Sequence, residues 1–138
     1  MNKTEIRDLT YKLLYSLEIQ KNVDIDEQIE LYIEENNVEK ESIKKYIKDI
    51  IWGVENNKEE INSIIKSCLD EKWSIERISK INLSILKLSI YEMKYKEIPI
   101  KVEINEAVEL AKKYGEETSA KFINGALAKV VKEYIEKG

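Results

Sequence analysis

PIKVEINEAVELAKKYGEETSAKFINGALAKVV, residues 99–131, decides the fold. It holds the only proline of the chain and two of its four glycines. Pro99 suits a first helical position, where a fixed φ fits and the missing N–H is not needed. Ile100, Ile104, Ala107, Val108 and Ala111 then recur on one helical face. Gly115 is the residue expected to take a left-handed conformation and end that helix. Glu116 and Glu117 place negative charge where a second helix begins. Ala120, Ile123, Leu127, Val130, Val131 and Tyr134 form the second stripe. Within it, Gly125 reads as a point of close contact between helices.

Outward from this pair, every other segment also reads as helix. Ile78 to Lys94 is apolar on most sides, the mark of a central helix covered by several neighbours, and Ser74 looks like the N-cap of the turn before it. Thr4 to Gln20 carries Ile6, Leu9, Leu13, Leu14 and Leu17 at helical spacing. A short helix follows, capped by Asp24 or Asp26 and ended at Asn36–Asn37. Ile43, Ile50, Ile51 and Val54 mark a third between about Lys40 and Asn56, with Gly53 permitting close packing. Ile61, Ile64, Ile65, Cys68 and Leu69 mark a fourth from Lys58. The expectation is all-α: one domain of about seven helices.

Composition narrows the chemistry. In 138 residues there are 23 Lys and Arg against 27 Asp and Glu, a formal charge of −4. Only two of those cations are arginine, Arg7 and Arg77. This balance argues against bulk nucleic-acid binding but allows a local basic patch. There is no histidine, which removes the commonest general base near neutral pH and the commonest metal ligand. The single cysteine, Cys68, has no internal partner, consistent with a reducing cytoplasm. No apolar run approaches the roughly 20 residues that span a bilayer. Phosphate loops are absent. Glu103, Glu106 and Glu109 fall on polar sides of a helix, where ion pairing explains them. No catalytic residue, cofactor or metal is therefore expected.

Two features keep binding in view. Lys3, Arg7 and Lys12, with Tyr11 and Tyr15, form a basic and aromatic rim on the first helix. Lys121 and Phe122 open the last helix, with Phe122 at the flank of the apolar stripe. Cations for phosphates and rings for bases are the combination that single-stranded RNA requires.

Ile104-Asn105-Glu106-Ala107-Val108-Glu109-Leu110-Ala111-Lys112, then Tyr114-Gly115, then Ser119-Ala120-Lys121-Phe122-Ile123-Asn124-Gly125-Ala126-Leu127 resembles the NusB family. Leu14-Tyr15 with Glu18, Ile85-Leu86-Lys87, Tyr91-Glu92 and Pro99 support the likeness in order and spacing over essentially the whole chain. The resemblance implies two packed helical subdomains, about 1–72 and 73–138. It implies a transcription antitermination factor that binds boxA RNA together with NusE, a ribosomal protein, within the RNA polymerase antitermination complex of ribosomal RNA operons. The expected RNA-binding residues are Lys3, Arg7, Lys12, Lys121 and Phe122. Tyr15, Glu18 and Asn82 are the expected NusE-facing residues, in a cytoplasmic monomer or homodimer.

The chain departs from the family's pattern where function is expected. Glu5 stands at a usual cation of the N-terminal region, which predicts fewer phosphate contacts. Asn82 and Leu83 replace an acidic and a basic residue, and Lys87 an arginine. A rival reading is a helical protein-interaction or dimerisation domain with no RNA role.

Overall fold

The computed structural model describes residues 1–70 and 74–136. The described residues form seven α-helices: α1 (Lys3–Ile19), α2 (Ile25–Glu35), α3 (Glu41–Asn56), α4 (Lys58–Ser67), α5 (Lys80–Tyr95), α6 (Ile100–Tyr114) and α7 (Ser119–Val130). A 3-10 turn at Ile75–Arg77 precedes α5, and a π-helical turn at Val131–Ile135 extends α7. Among the described residues there is no strand.

Local chemistry sets the helix ends. Asn2 accepts from the Glu5 N–H at 2.8 Å and the Glu5 carboxylate accepts from the Asn2 N–H at 2.9 Å, a reciprocal cap on α1. Asp24 caps α2 through the Glu27 N–H. At its other end, Asn37 is left-handed with φ 52°, its N–H donates to Glu34 and the Val38 N–H donates to Ile33. Ser74 makes no side-chain cap; Ser79 caps α5 instead, accepting from the Asn82 N–H at 3.1 Å. Pro99 stands one place outside α6, at its N-cap. Gly115 is extended (φ −89°, ψ −173°), not left-handed. What Gly115 supplies is space, since a Cβ there would lie 2.5 Å from the Ser119 side chain and 2.7 Å from the Ala111 carbonyl.

α5 is the central helix, packed against α1, α3, α4, α6 and α7. Every residue from Leu83 to Met93 is buried, including Ser84, Lys87, Ser89 and Glu92. Gly53 lets α3 approach it: a Cβ at this position would stand 2.1 Å from the Tyr91 ring. The buried face of α6 is Glu103, Ala107, Leu110 and Ala111, while Ile100, Ile104 and Val108 are half-buried. That face is rotated from the one the apolar pattern marks, and it carries a carboxylate into the core. The apolar side chains of all seven helices form one cluster. The expected junction near residue 72 lies outside the described residues.

Candidate nucleic-acid interface

Arg7 is the first surprise of the basic rim. It is 7% exposed, and its guanidinium is enclosed by carboxylates of two other helices. Nε donates to Glu92 at 2.9 Å and Nη2 to Glu103 at 3.1 Å, while Nη1 lies 3.7 Å from Glu106. The Tyr46 hydroxyl donates to the second Glu92 oxygen at 3.0 Å. Burial, which alone would lower the Arg7 pKa, is outweighed by the Glu92 hydrogen bond and the Glu103 charge, so it rises. Glu103 is fully buried. Burial first, then the neighbouring Glu92 charge, push its carboxyl well above the usual range against the pull of Arg7. Arg7 thus clamps α1 to α5 and α6. Its expected place on an exposed phosphate-binding face is corrected, and so is the expectation that Glu103 lies on a polar side.

The two lysines of the rim are accessible, but Tyr11 is buried in the core and Tyr15 half-buried, so the rim is less aromatic at the surface than expected. Lys3 is exposed, with no ion pair among the described residues. Lys12 is exposed, 3.5 Å from Asp8 and 5.9 Å from the centre of the Tyr114 ring. Lys113 of α6 lies 5.3 Å from the same ring and donates to Asp8 at 2.7 Å. The Tyr114 hydroxyl donates to the other Asp8 oxygen at 2.6 Å. Burial alone would raise the Asp8 pKa, but the hydrogen bonds from Lys113 and Tyr114 hold it low. Tyr11 packs between Tyr15 and Tyr114, with ring centres 6.4 and 5.4 Å away. Lys113 and Tyr114 belong to this surface but were invisible as site residues in sequence, because their contacts are with α1, about a hundred positions earlier.

Phe122 forms a ridge on α7. Its half-buried ring packs against the core and borders two hollows. One, of about 530 Å³, is lined by Arg77, Ile78, Ser79, Asn82, Glu116, Thr118 and Ser119. The other, of about 200 Å³, lies over Cys68, Leu69, Asp70, Gly125 and Ala126, with Lys121 and Lys129 at its edge. Lys121 and Arg77 are exposed, with no ion pair among the described residues; Lys129 lies 3.1 Å from Asp70. Asn82 opens into the larger hollow, and its side-chain oxygen is buried without a hydrogen-bond partner. Arg77 is a further residue that sequence reading passed over, since the 3-10 turn that turns it toward Phe122 has no periodic signal. The Tyr11 hydroxyl donates to the carbonyl of Ile81, next to Asn82, at 3.1 Å. One chain of contacts therefore joins the tyrosine cluster to the Phe122 hollow.

The expected partner-facing residues separate. Asn82 shares the Phe122 hollow, and Tyr15 is half-buried beside Tyr11. Glu18 borders a different hollow, between α1 and α3, and accepts from the buried Lys87 at 2.7 Å. Cys68 is buried, and burial pushes its thiol pKa up, the condition of an inert cysteine. Among the described residues no group of three His, Cys, Asp or Glu side chains is placed to hold a metal ion. No described helix is long and apolar enough to cross a membrane.

Comparison with known proteins agrees with this architecture. The transcription antitermination protein NusB of Clostridium acetobutylicum is 44% identical over 138 residues, covering 99% of this chain and all of that one. A structure of T. maritima NusB superposes with a TM-score of 0.89 at 33% identity, covering 99% of this chain and 95% of that one. A structure of the antitermination factors NusB and NusE in complex with dsRNA superposes with a TM-score of 0.84 at 27% identity, over 96% of this chain and 97% of that one. The NusB family model matches residues 4–132, and the chain belongs to the NusB family.

Proposed function

We propose that this chain is a non-enzymatic, cytoplasmic transcription antitermination factor that binds boxA-type single-stranded RNA together with NusE, supporting transcription of ribosomal RNA operons. The observation that carries the reading is the Phe122 ridge. A half-buried ring beside the unpaired Lys121, with Arg77 lining the hollow on which that ring also borders, offers stacking and phosphate charge in one place. Its support from relatives is the antitermination role of the Clostridium acetobutylicum protein and the similar NusB–NusE–dsRNA complex.

In this reading Lys3, Lys12, Lys121 and Phe122 meet RNA, Tyr15 and Asn82 face NusE, and Arg7 acts by holding α1 in place. Glu18 contributes to partner binding only if Lys87 releases it. The net charge of −4 and the capture of Lys12 and Lys113 by Asp8 keep intrinsic RNA affinity low. NusE then supplies the missing charge and surface. The same acidity favours the second reading, a protein-interaction module without RNA. Lys121→Glu and Phe122→Ala separate them. RNA affinity in the presence of NusE falls by about tenfold or more for each under the first reading. Under the second it is absent from the start.

A further inference from the structure

Three donors from two helices converge on the carboxylate of Asp8. The Tyr114 hydroxyl donates to Oδ1 at 2.6 Å, the Lys113 ammonium donates to Oδ2 at 2.7 Å, and the Lys12 ammonium lies 3.5 Å from Oδ1. Both ammonium groups also stand over the Tyr114 ring, 5.9 and 5.3 Å from its centre, so two like charges share one small area. Among the described residues Asp8 is the ion-pair partner of both lysines, and neither has another. The lysine side chains are 53% and 59% exposed, whereas that of Asp8 is 15% exposed. The donors are thus open to solvent and their common acceptor is not. Beside them a hollow of about 400 Å³ runs between α1 and α6, with Thr4 and Asp8 on one wall and Lys112 and Lys113 on the other.

We propose that Lys12, Lys113 and Tyr114 form a seat for one phosphate group, and that Asp8 is its built-in occupant, which an incoming phosphate displaces from the two lysines. Lysine ammonium and hydroxyl donors take phosphate oxygens as they take carboxylate oxygens, by charge-assisted hydrogen bonds of the same length. Ion pairs made by exposed lysines hold weakly, so Lys12 and Lys113 can be drawn off Asp8 without unfolding either helix. A phosphate of single-stranded RNA and a free phosphate share this chemistry. For RNA the inference rests on the RNA-binding reading given above; the seat itself does not. An acidic side chain lodged among phosphate donors has a signature opposite to that of a contact residue. Neutralising it tightens binding and steepens the salt dependence.

The test uses the full chain, purified NusE and a fluorescently labelled single-stranded boxA RNA oligonucleotide over a series of salt concentrations. Asp8→Asn removes the charge while keeping the shape and an acceptor for Tyr114. The expected result is an RNA affinity raised about two- to fivefold. The logarithmic salt slope steepens by roughly 0.7 for each lysine released. Both gains vanish when Lys12→Ala and Lys113→Ala are added. Glu59→Gln, the same change of charge on the exposed first turn of α4, leaves the parental affinity. A folded Asp8→Asn that binds RNA no better than the parent overturns the RNA seat. So does an equal gain in Glu59→Gln, or a gain that survives loss of both lysines. Should Asp8→Asn fail to fold, Asp8→Ser is measured against the same outcomes. Inorganic phosphate, titrated by calorimetry into parent and Asp8→Asn, separates the two sources. Tighter phosphate binding without tighter RNA binding assigns the seat to free phosphate, and a gain for neither overturns the seat altogether. If no chain binds RNA, the RNA-binding reading falls, and the phosphate titration alone still decides the seat.

Discussion

Replacing Arg7 by alanine removes the cation that stands between Glu92 and Glu103, which are 2% and 0% exposed. Glu92 loses its 2.9 Å charge-assisted hydrogen bond and Glu103 its 3.1 Å one. Breaking a buried pair from one side leaves uncompensated charge in the core and costs about 3–5 kcal/mol. Against a total stability of roughly 5–15 kcal/mol, that is a large fraction. The melting temperature of a domain this size then falls by about 10–20 °C. Urea and thermal unfolding followed by far-UV circular dichroism at pH 7 measure it. Lys3→Ala is the control, an exposed cation on the same helix expected to stay within about 0.5 kcal/mol of the parent. Adding Glu92→Gln to Arg7→Ala should recover part of the loss, because the carboxylate left without its cation is then a neutral amide. A loss below about 1 kcal/mol for Arg7→Ala would refute the clamp and return Arg7 to the exposed rim.

Three other substitutions test separate parts of the account. Glu103 has a folded-state pKa raised from its ordinary 4.5 toward about 9, chiefly by burial. Its contribution to stability is thus complete below the ordinary value and lost as pH rises through that window. Glu103→Gln should flatten this decline, gaining on the parent at pH 8 relative to pH 5 in urea titrations; parallel pH profiles would contradict the assignment. Gly53→Ala drives a methyl into the Tyr91 ring and strains the 2.8 Å Tyr91–Asp49 hydrogen bond. It should cost about 1–3 kcal/mol by chemical denaturation, and a neutral result would mean the two helices separate freely. Glu97 links α5 to α6 with φ 53°, a left-handed conformation that glycine accepts without strain. Glu97→Gly should stabilise the chain by about 0.5–1 kcal/mol, detectable as a rise in melting temperature.

The helices themselves were legible because each buries an apolar stripe with the period of its own backbone. Ile61, Ile64 and Ile65 of α4 are buried as their spacing requires, and the all-round apolar pattern of Leu83 to Met93 is the central helix. Helix ends followed where a side chain near in sequence does the work, as at Asp24 and Asn37. What could not be read are the contacts made across the fold. Arg7 and Glu103 look like surface residues because their partners lie 85 to 96 positions away. Their pairing also explains why α6 turns a carboxylate inward where the apolar count favoured Ile104. The glycines show the same division. Gly53 fits its reading as a close approach, whereas Gly115 is an extended helix cap pressed against Ser119 and Gly125 is mid-helix with open space beside it among the described residues, and sequence carries neither setting. At the candidate site, Lys121 and Phe122 were visible as a cation and a flanking ring. The hollows that make them useful require Arg77, Asn82 and Gly125 to converge from a turn and two helices.

The most direct test of RNA recognition on the Phe122 ridge is fluorescence anisotropy of a labelled single-stranded boxA oligonucleotide titrated with the full chain. It is run with and without purified NusE, for the parent and for Phe122→Ala. Weak binding alone, clear strengthening by NusE, and loss of about tenfold or more on removing the ring are the results expected. Equal affinity with and without NusE, no binding in either, or a Phe122→Ala chain that binds like the parent would contradict the account.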